Sequence, residues 1–501
     1  MKLPIHSLAI ASAAACLLLP RAGYGESVTE YLRAFHDDPA AVMERLPGVV
    51  DENGDAQPQG YIDPTNEEAR SSYKNQLRAA LGVDPTSAAP LKNDLVQNLV
   101  DPGTSVVRNL SVMQEQSLLS LTSPKKPWAD SYWPTYRGQI AYRYADKSVS
   151  QSKSWAVNYA AAQSNPAAGV VATGNSSLIN MLSPAEKYDF VMGDSAFTLT
   201  NFAWTRGKIG NDDGSGIATW MGICHGWSAA ASMGVPFIGQ PTTVVSQSGV
   251  PVTFYPQDIK ALESMLWANG APSARFVGGR CTLSHPPRNS NGRILDPNCF
   301  DTNPATWHLS VVNQLGRNHR SFVFDGTYTA EVWNFPLVST KYRYFNPQTL
   351  EQTGTWSAAR VPLENFTVDK FREFRDKETR SVVGIYMDVT YTIEIEPGTA
   401  RVFDAPTKTV RYIYDLELDA SDNVIGGEWY SNAHPDFIWT FDQNAQAMAF
   451  DENVLLADPW ANNGPVPLAW TDFARRASAR GTPLFAFLKK VTDAAGPVYQ
   501  P

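Results

Sequence analysis

The chain has 501 residues, 43% hydrophobic and 18% charged, with 35 prolines and 34 glycines spread along it. Such a composition suits two or three domains with sizeable cores and excludes a disordered, collagenous or coiled-coil protein. The 50 acidic residues outnumber 41 basic ones, and no block of Lys or Arg stands out, so neither a nucleic-acid surface nor an anionic-membrane surface fits the charge.

Residues 1–25 read as a cleavable export signal. Lys2 gives a positive start, Ser7 to Leu19 is a 13-residue apolar run, and Gly23-Tyr24-Gly25 offers small residues for a cut before Glu26. The run is too short for a membrane span, and no later stretch reaches about 18 uncharged apolar residues. Cleavage removes Lys2 and Arg21 and no acid, taking the net charge from −9 to −11. The mature protein is expected to be secreted or periplasmic, with no membrane span.

Residues 26–115 read as a mostly helical region, carried by EEARSSYKNQLRAALG and broken by VDPTSAAP and VDPGTS. The aromatic, loop-rich stretch PWADSYWPTYRGQIAYRYAD follows. LSPAEKYDF reads as a short capped helix, GNDDGSG as a turn-rich loop, and IATWMGICHGWSAAASMG as a helix stopped by Gly234 and Pro236. WHLSVVNQL and SFVFD read as strands. SVVGIYMDVTYTIEIE and TVRYIYDLELDASDNVIGGEWY, rich in Val, Ile, Tyr and Thr, read as further strands with turns between them. VPLAWTDFARRASARGTPLFAFLKKV reads as partly helical.

The cysteines are Cys16, Cys224, Cys281 and Cys299. Cys16 leaves with the signal. Cys281 and Cys299 bracket a segment dense in Pro, Asn, Gly and Ser, and a disulfide across it would stabilise by about 3 kcal/mol in the chain-entropy picture. Cys224 is then left over. A lone thiol in an oxidising compartment is either buried and inert or used.

Cys224 stands at the front of the helix that runs to about Met233. There the unpaired backbone N–H groups and the positive end of the helix dipole favour a thiolate, and the backbone N–H of Cys224 is free to face an oxyanion. The small residues Gly226, Ser228, Ala229, Ala230 and Ala231 let the helix lie close against a sheet, the layout of a papain-like nucleophile helix. A thiolate catalyst needs a histidine and a group to orient it. His225 adjoins the cysteine and on a helix faces elsewhere, His285 lies in the disulfide loop, and His319 lies in a polar turn. His308 opens a strand-like run 84 residues after the cysteine, and Asp325 ends the next run 17 residues later. A hairpin between these runs brings His308 and Asp325 to one end, although a turn near Asn318 sets Asp325 opposite Val311, about 10 Å off, and needs a bulge. Asp325 before Gly326 also reads as a plain turn residue, and His308 as a core histidine.

The order of ICHGW, WHLSVVNQ and FVFDGTYTAEVWNFP, with PWADSYWPTYRGQIAYRY and GGEWYSNAHPDFIW around them, resembles the transglutaminase-elicitor family of secreted oomycete glycoproteins and bacterial members. Val332, Trp333, Asn334, Phe335 and Pro336 match the core of that family's plant-recognised peptide, whereas LVSTKYRYF beyond them departs from it. The resemblance covers roughly residues 115–445 and implies an α+β fold with a papain/transglutaminase-like core over residues 116–445; the N-terminal helical region over 26–115 precedes it, with β-rich C-terminal additions and a helical or loop extension over 446–501. It implies a protein-glutamine γ-glutamyltransferase with Cys224 as nucleophile, His308 as base and Asp325 as orienting acid, acting on protein glutamine and amine substrates. A secreted cysteine peptidase or amidase with the same triad, and a non-catalytic binding protein, are the other readings. No cofactor is required. Asp212 and Asp213 in GNDDGSG offer a calcium site or a plain turn, Trp220 an indole N–H for an oxyanion or a core ring, and His434 with Asp436 a structural loop at the cleft edge. Cys281, Cys299, His285 and His308 lack zinc-site spacing.

Overall fold

This computed structural model describes residues 25–60, 95–149, 152–212, 216–278, 286–326, 332–452, 459–461 and 464–496. The export signal up to residue 24, EEARSSYKNQLRAALG, Asp213, Cys281 and His285 lie outside the described residues. Among the described residues no helix is long and apolar enough to cross a membrane.

The chain opens with α1 (Val28–Asp37), where Ser27 and Glu30 form a reciprocal capping box. A short strand β1 (Ser120–Thr122) precedes α2 (Pro184–Val191). LSPAEKYDF is indeed a capped helix: Ser183 and Glu186 close the box and Pro184 occupies the first turn. Then come α3 (Cys224–Ser232), α4 (Pro256–Gly270), β2 (Arg275–Gly278), α5 (Pro304–Ser310), β3 (Val323–Asp325), β4 (Asn334–Phe345), β5 (Ser381–Thr392), β6 (Thr407–Leu418) and β7 (Phe437–Thr440). Helices α6 (Thr471–Ser478) and α7 (Phe485–Ala494) end the described chain.

The scaffold is one large antiparallel sheet in the order β6–β5–β4–β3–β7–β2, with Val49–Val50 and Ala56–Gln57 extending it beyond β6. β5 and β6 pair over their whole length, from Ser381↔Leu418 to Thr392↔Thr407. β4 follows β5 from Phe345 to Leu337, with a register shift between Thr390 and Tyr391. Its other edge is shared among β3, β1 and the short strand Gln352–Thr353. Burial along β4 explains its role: Lys341 and Arg343 face solvent at the far end, whereas Asn334 to Val338 are buried continuously. Strands covered on both faces carry runs of this kind. The covering layer at that end is α3 with α4 beside it.

The close approach of α3 and α4 rests on Gly226. A Cβ there would lie 2.0 Å from the backbone oxygen of Ser264. The small residues of α3 therefore serve a helix neighbour as well as the sheet. Gly226→Ala is expected to cost about 1–3 kcal/mol through overpacking, read as a lower urea midpoint at unchanged slope. Helix α4 is held in turn by a buried ion pair, Lys187 Nζ to Asp258 at 2.7 Å, to which the Tyr144 hydroxyl adds a hydrogen bond of 2.9 Å. Helix α7 closes on α4 through Thr492 and Glu263.

One local expectation is overturned. WHLSVVNQL is helix: α5 continues into a π-helical segment, Val311–Arg317. Asn303 accepts from the Ala305 N–H and Pro304 pre-sets the first turn, so capping outweighs the strand preference of Val311 and Val312. The hairpin between this run and SFVFD does not form, and β3 pairs instead with β4 and β7.

Candidate active site

Cys224 is the first residue of α3, 1% exposed. Among the described residues no side chain caps this helix, so the positive end of the dipole acts directly at the thiol. The Ile223 N–H donates to Tyr132 O at 2.7 Å and the Trp227 indole to Trp128 O at 2.8 Å, which tie the helix start to the 128–133 segment. The site lies where that segment, α3, the facing ends of β3 and β4, and the residues just past β5 converge.

Two groups of β4 and its approach meet the sulfur. The Asn334 side-chain Nδ2 donates to Sγ at 3.5 Å, and the thiol donates to Val332 O at 3.9 Å. Asn334 is itself held by the Trp439 indole, whose Nε1–H donates to Oδ1 at 2.9 Å. Asp325 lies directly opposite Asn334 in the β3–β4 register and accepts the Trp333 N–H at 3.2 Å. The Trp333 ring meets Tyr132 edge-on, centroids 4.9 Å apart.

Burial is the largest influence on the thiol and raises its pKa. The backbone and side-chain N–H groups of Asn334 pull it down, and the charges of Glu394 and Asp325 push it up again. Glu394, just beyond β5, has its own carboxyl pKa raised by burial.

The structure thus brings Cys224 and Asp325 to one place and leaves His308 out of it. His308 is fully buried on α5; its Nδ1 shares a hydrogen bond of 2.8 Å with the Tyr414 hydroxyl, and its ring packs edge-on against Tyr342. Among the described residues its Nε2 has no hydrogen-bond partner. Neither nitrogen reaches Sγ or Asp325, because the helix turns the ring toward β4 and β6. Among the described residues no histidine nitrogen hydrogen-bonds the Cys224 sulfur. His225 is buried, its pKa lowered to about 4 chiefly by burial. His434 stacks on Trp429 at 4.7 Å.

Burial holds His308 neutral, with a pKa pushed down to about 3. The unfolded chain takes up this proton near pH 6.5. The stability contributed by neutral His308 is therefore complete above pH 6.5 and is lost as pH falls toward 3, by about 1.4 kcal/mol per pH unit. In His308→Gln the fall in unfolding free energy between pH 6 and 4 should be shallower than in the wild type; an equal slope contradicts a neutral buried His308.

Sequence reasoning missed Asn334 as a partner of the sulfur, Trp439 as its anchor, and Glu394. Asn334 and Trp439 both stood inside recognised motifs, so the signal was present without a role; Glu394 carried none. Trp220 is half-buried against the core. Asp212 ends its helix in an ion pair with Lys208, and among the described residues no group of three or more His, Cys, Asp or Glu side chains is arranged to hold a metal ion. Cys224 is the free cysteine among the described residues, and Cys299 is disulfide-bonded.

Comparison with known proteins adds three findings. The description "transglutaminase elicitor" matches residues 102–454. No curated protein matches the chain. Among solved structures, the GP42 transglutaminase from Phytophthora sojae is similar at 21% identity and a TM-score of 0.46, over 87% of this chain and 98% of that one.

Proposed function

The chain belongs to the transglutaminase elicitor family, and from that premise we propose that it is an exported acyltransferase in which Cys224 forms a thioester with protein-bound glutamine. The observation that carries this reading is the Cys224 thiol itself, at an uncapped helix start with an N–H donor aimed at its sulfur.

The steps balance as follows. Glu394, whose charge acts on the thiol and whose raised pKa suits proton exchange, takes the S–H proton. The sulfur attacks the γ-carboxamide carbon. The C–N bond breaks and the nitrogen leaves as ammonia with the proton returned by the carboxylic acid. A lysine amine then attacks the thioester, or water does, and the thiol is regenerated. The acid–base role first read for His308 passes to Glu394, and Asp325 supports the site from the neighbouring strand. The product is an isopeptide cross-link or a glutamate. Cys281 is the partner proposed for Cys299, and cleavage before Glu26 the route to export.

A glutamine-bearing protein incubated with a labelled primary amine tests the reading. Label incorporation with ammonia release is expected. Cleavage of a peptide-bond substrate without amine incorporation would point to a peptidase instead.

A further inference from the structure

We propose that Asn334 is a catalytic residue, and that Trp439 is the positioning residue that aims its carboxamide at the Cys224 sulfur to stabilise the thiolate. The inference rests on the reading of Cys224 as nucleophile.

The direction of the amide follows from its neighbours. An indole N–H only donates, so the atom it meets at 2.9 Å must be the amide oxygen. The NH2 group must then face the other way, toward Sγ at 3.5 Å. Trp439 and Asn334 are both fully buried, so neither hydrogen bond is shared with water, and a donor in such a setting acts strongly on a charge. The strand pairings build the arrangement: β7 lies beside β3, β3 beside β4, and Asn334 stands opposite Asp325.

The thiol needs this donor. Burial and the charges of Glu394 and Asp325 all oppose ionisation of Cys224; besides the positive end of the α3 dipole, the groups that favour it are the backbone and side-chain N–H groups of Asn334. The backbone N–H belongs to the strand and survives substitution; the carboxamide does not. Asn334 stands in the segment that matches the core of the family's plant-recognised peptide, and it is 0% exposed. Its side chain serves the reaction centre.

The test is the pH dependence of Cys224 alkylation by iodoacetamide, followed by peptide mapping, in the wild type, Asn334→Ala and Trp439→Phe. The midpoint pH is used because it reports ionisation separately from access to the sulfur. In Asn334→Ala it should move up by about one unit or more, and amine incorporation at pH 7 should fall about 10- to 100-fold. Trp439→Phe keeps Asn334 and an aromatic ring but frees the amide to turn, and should give a smaller upward shift. If Asn334→Ala does not fold, Trp439→Phe carries the test alone. Midpoints within about 0.3 units of wild type in the folded variants, with Cys224→Ala inactive, overturn the role of Asn334 alone. Amine incorporation that survives in Cys224→Ala overturns the underlying reading of the site, and this inference with it.

Discussion

Cys224→Ala is expected to remove amine incorporation and ammonia release together, by about 10⁴-fold or more, because no other described group can form the thioester. The side chain is 1% exposed in a close-packed setting, so the smaller alanine leaves the surrounding packing largely in place and the loss reads on chemistry. Cys224→Ser should retain traces at most, since a hydroxyl at this position is a far weaker nucleophile at neutral pH. Glutamine-donor assays on purified, folded variants check both. Ammonia release from Cys224→Ala near the wild-type rate would move the chemistry elsewhere in the molecule.

The second large effect is on stability. Arg375 is 2% exposed and binds three buried carboxylates, Asp415 bidentately at 2.6 and 2.7 Å, Asp369 at 3.0 Å and Glu417 at 3.4 Å. A cation surrounded by more acid than it can neutralise stabilises chiefly by preventing something worse. Arg375→Ala leaves the carboxylates buried without their counter-charge and should cost about 3–5 kcal/mol. The sign of its pH dependence is also determined. Burial already raises the Asp415 carboxyl pKa, and Arg375 is the first group that holds it down, so without Arg375 it rises further above its unfolded value. The folded state then binds protons more readily, and the variant regains stability as pH falls. The deficit should be larger at pH 8 than at pH 5, as measured by urea unfolding. A variant as stable as the wild type at pH 8 contradicts the role given to Arg375.

Much of the site's frame was legible in the sequence, for identifiable reasons. The helix behind Cys224 announced itself through consecutive small residues and the stop at Gly234. β5 and β6 did so through Val, Ile, Tyr and Thr over twelve residues each. Asp325 was correctly read as a strand end. His308 was misread because Val311 and Val312 speak for a strand, while the stronger local signal, Asn303 as cap before Pro304, sits upstream of the run. Asn334 and Trp439 meet across 105 residues of chain. Only the pairing of β7 with β3 and of β3 with β4 brings them together, and no local pattern encodes that. Glu394 follows an ordinary strand, and nothing in its neighbourhood distinguishes it from a surface acid until the fold buries it.

The central claim is that acyl transfer passes through the Cys224 sulfur. The most direct measurement is to mix the protein with a glutamine peptide in the absence of amine, quench in acid, and map the adduct by mass spectrometry. The account predicts the peptide acyl group, less ammonia, on Cys224, and its disappearance when a primary amine is added before the quench. Turnover of glutamine with Cys224 unmodified throughout, or continuing after complete alkylation of Cys224, would contradict it.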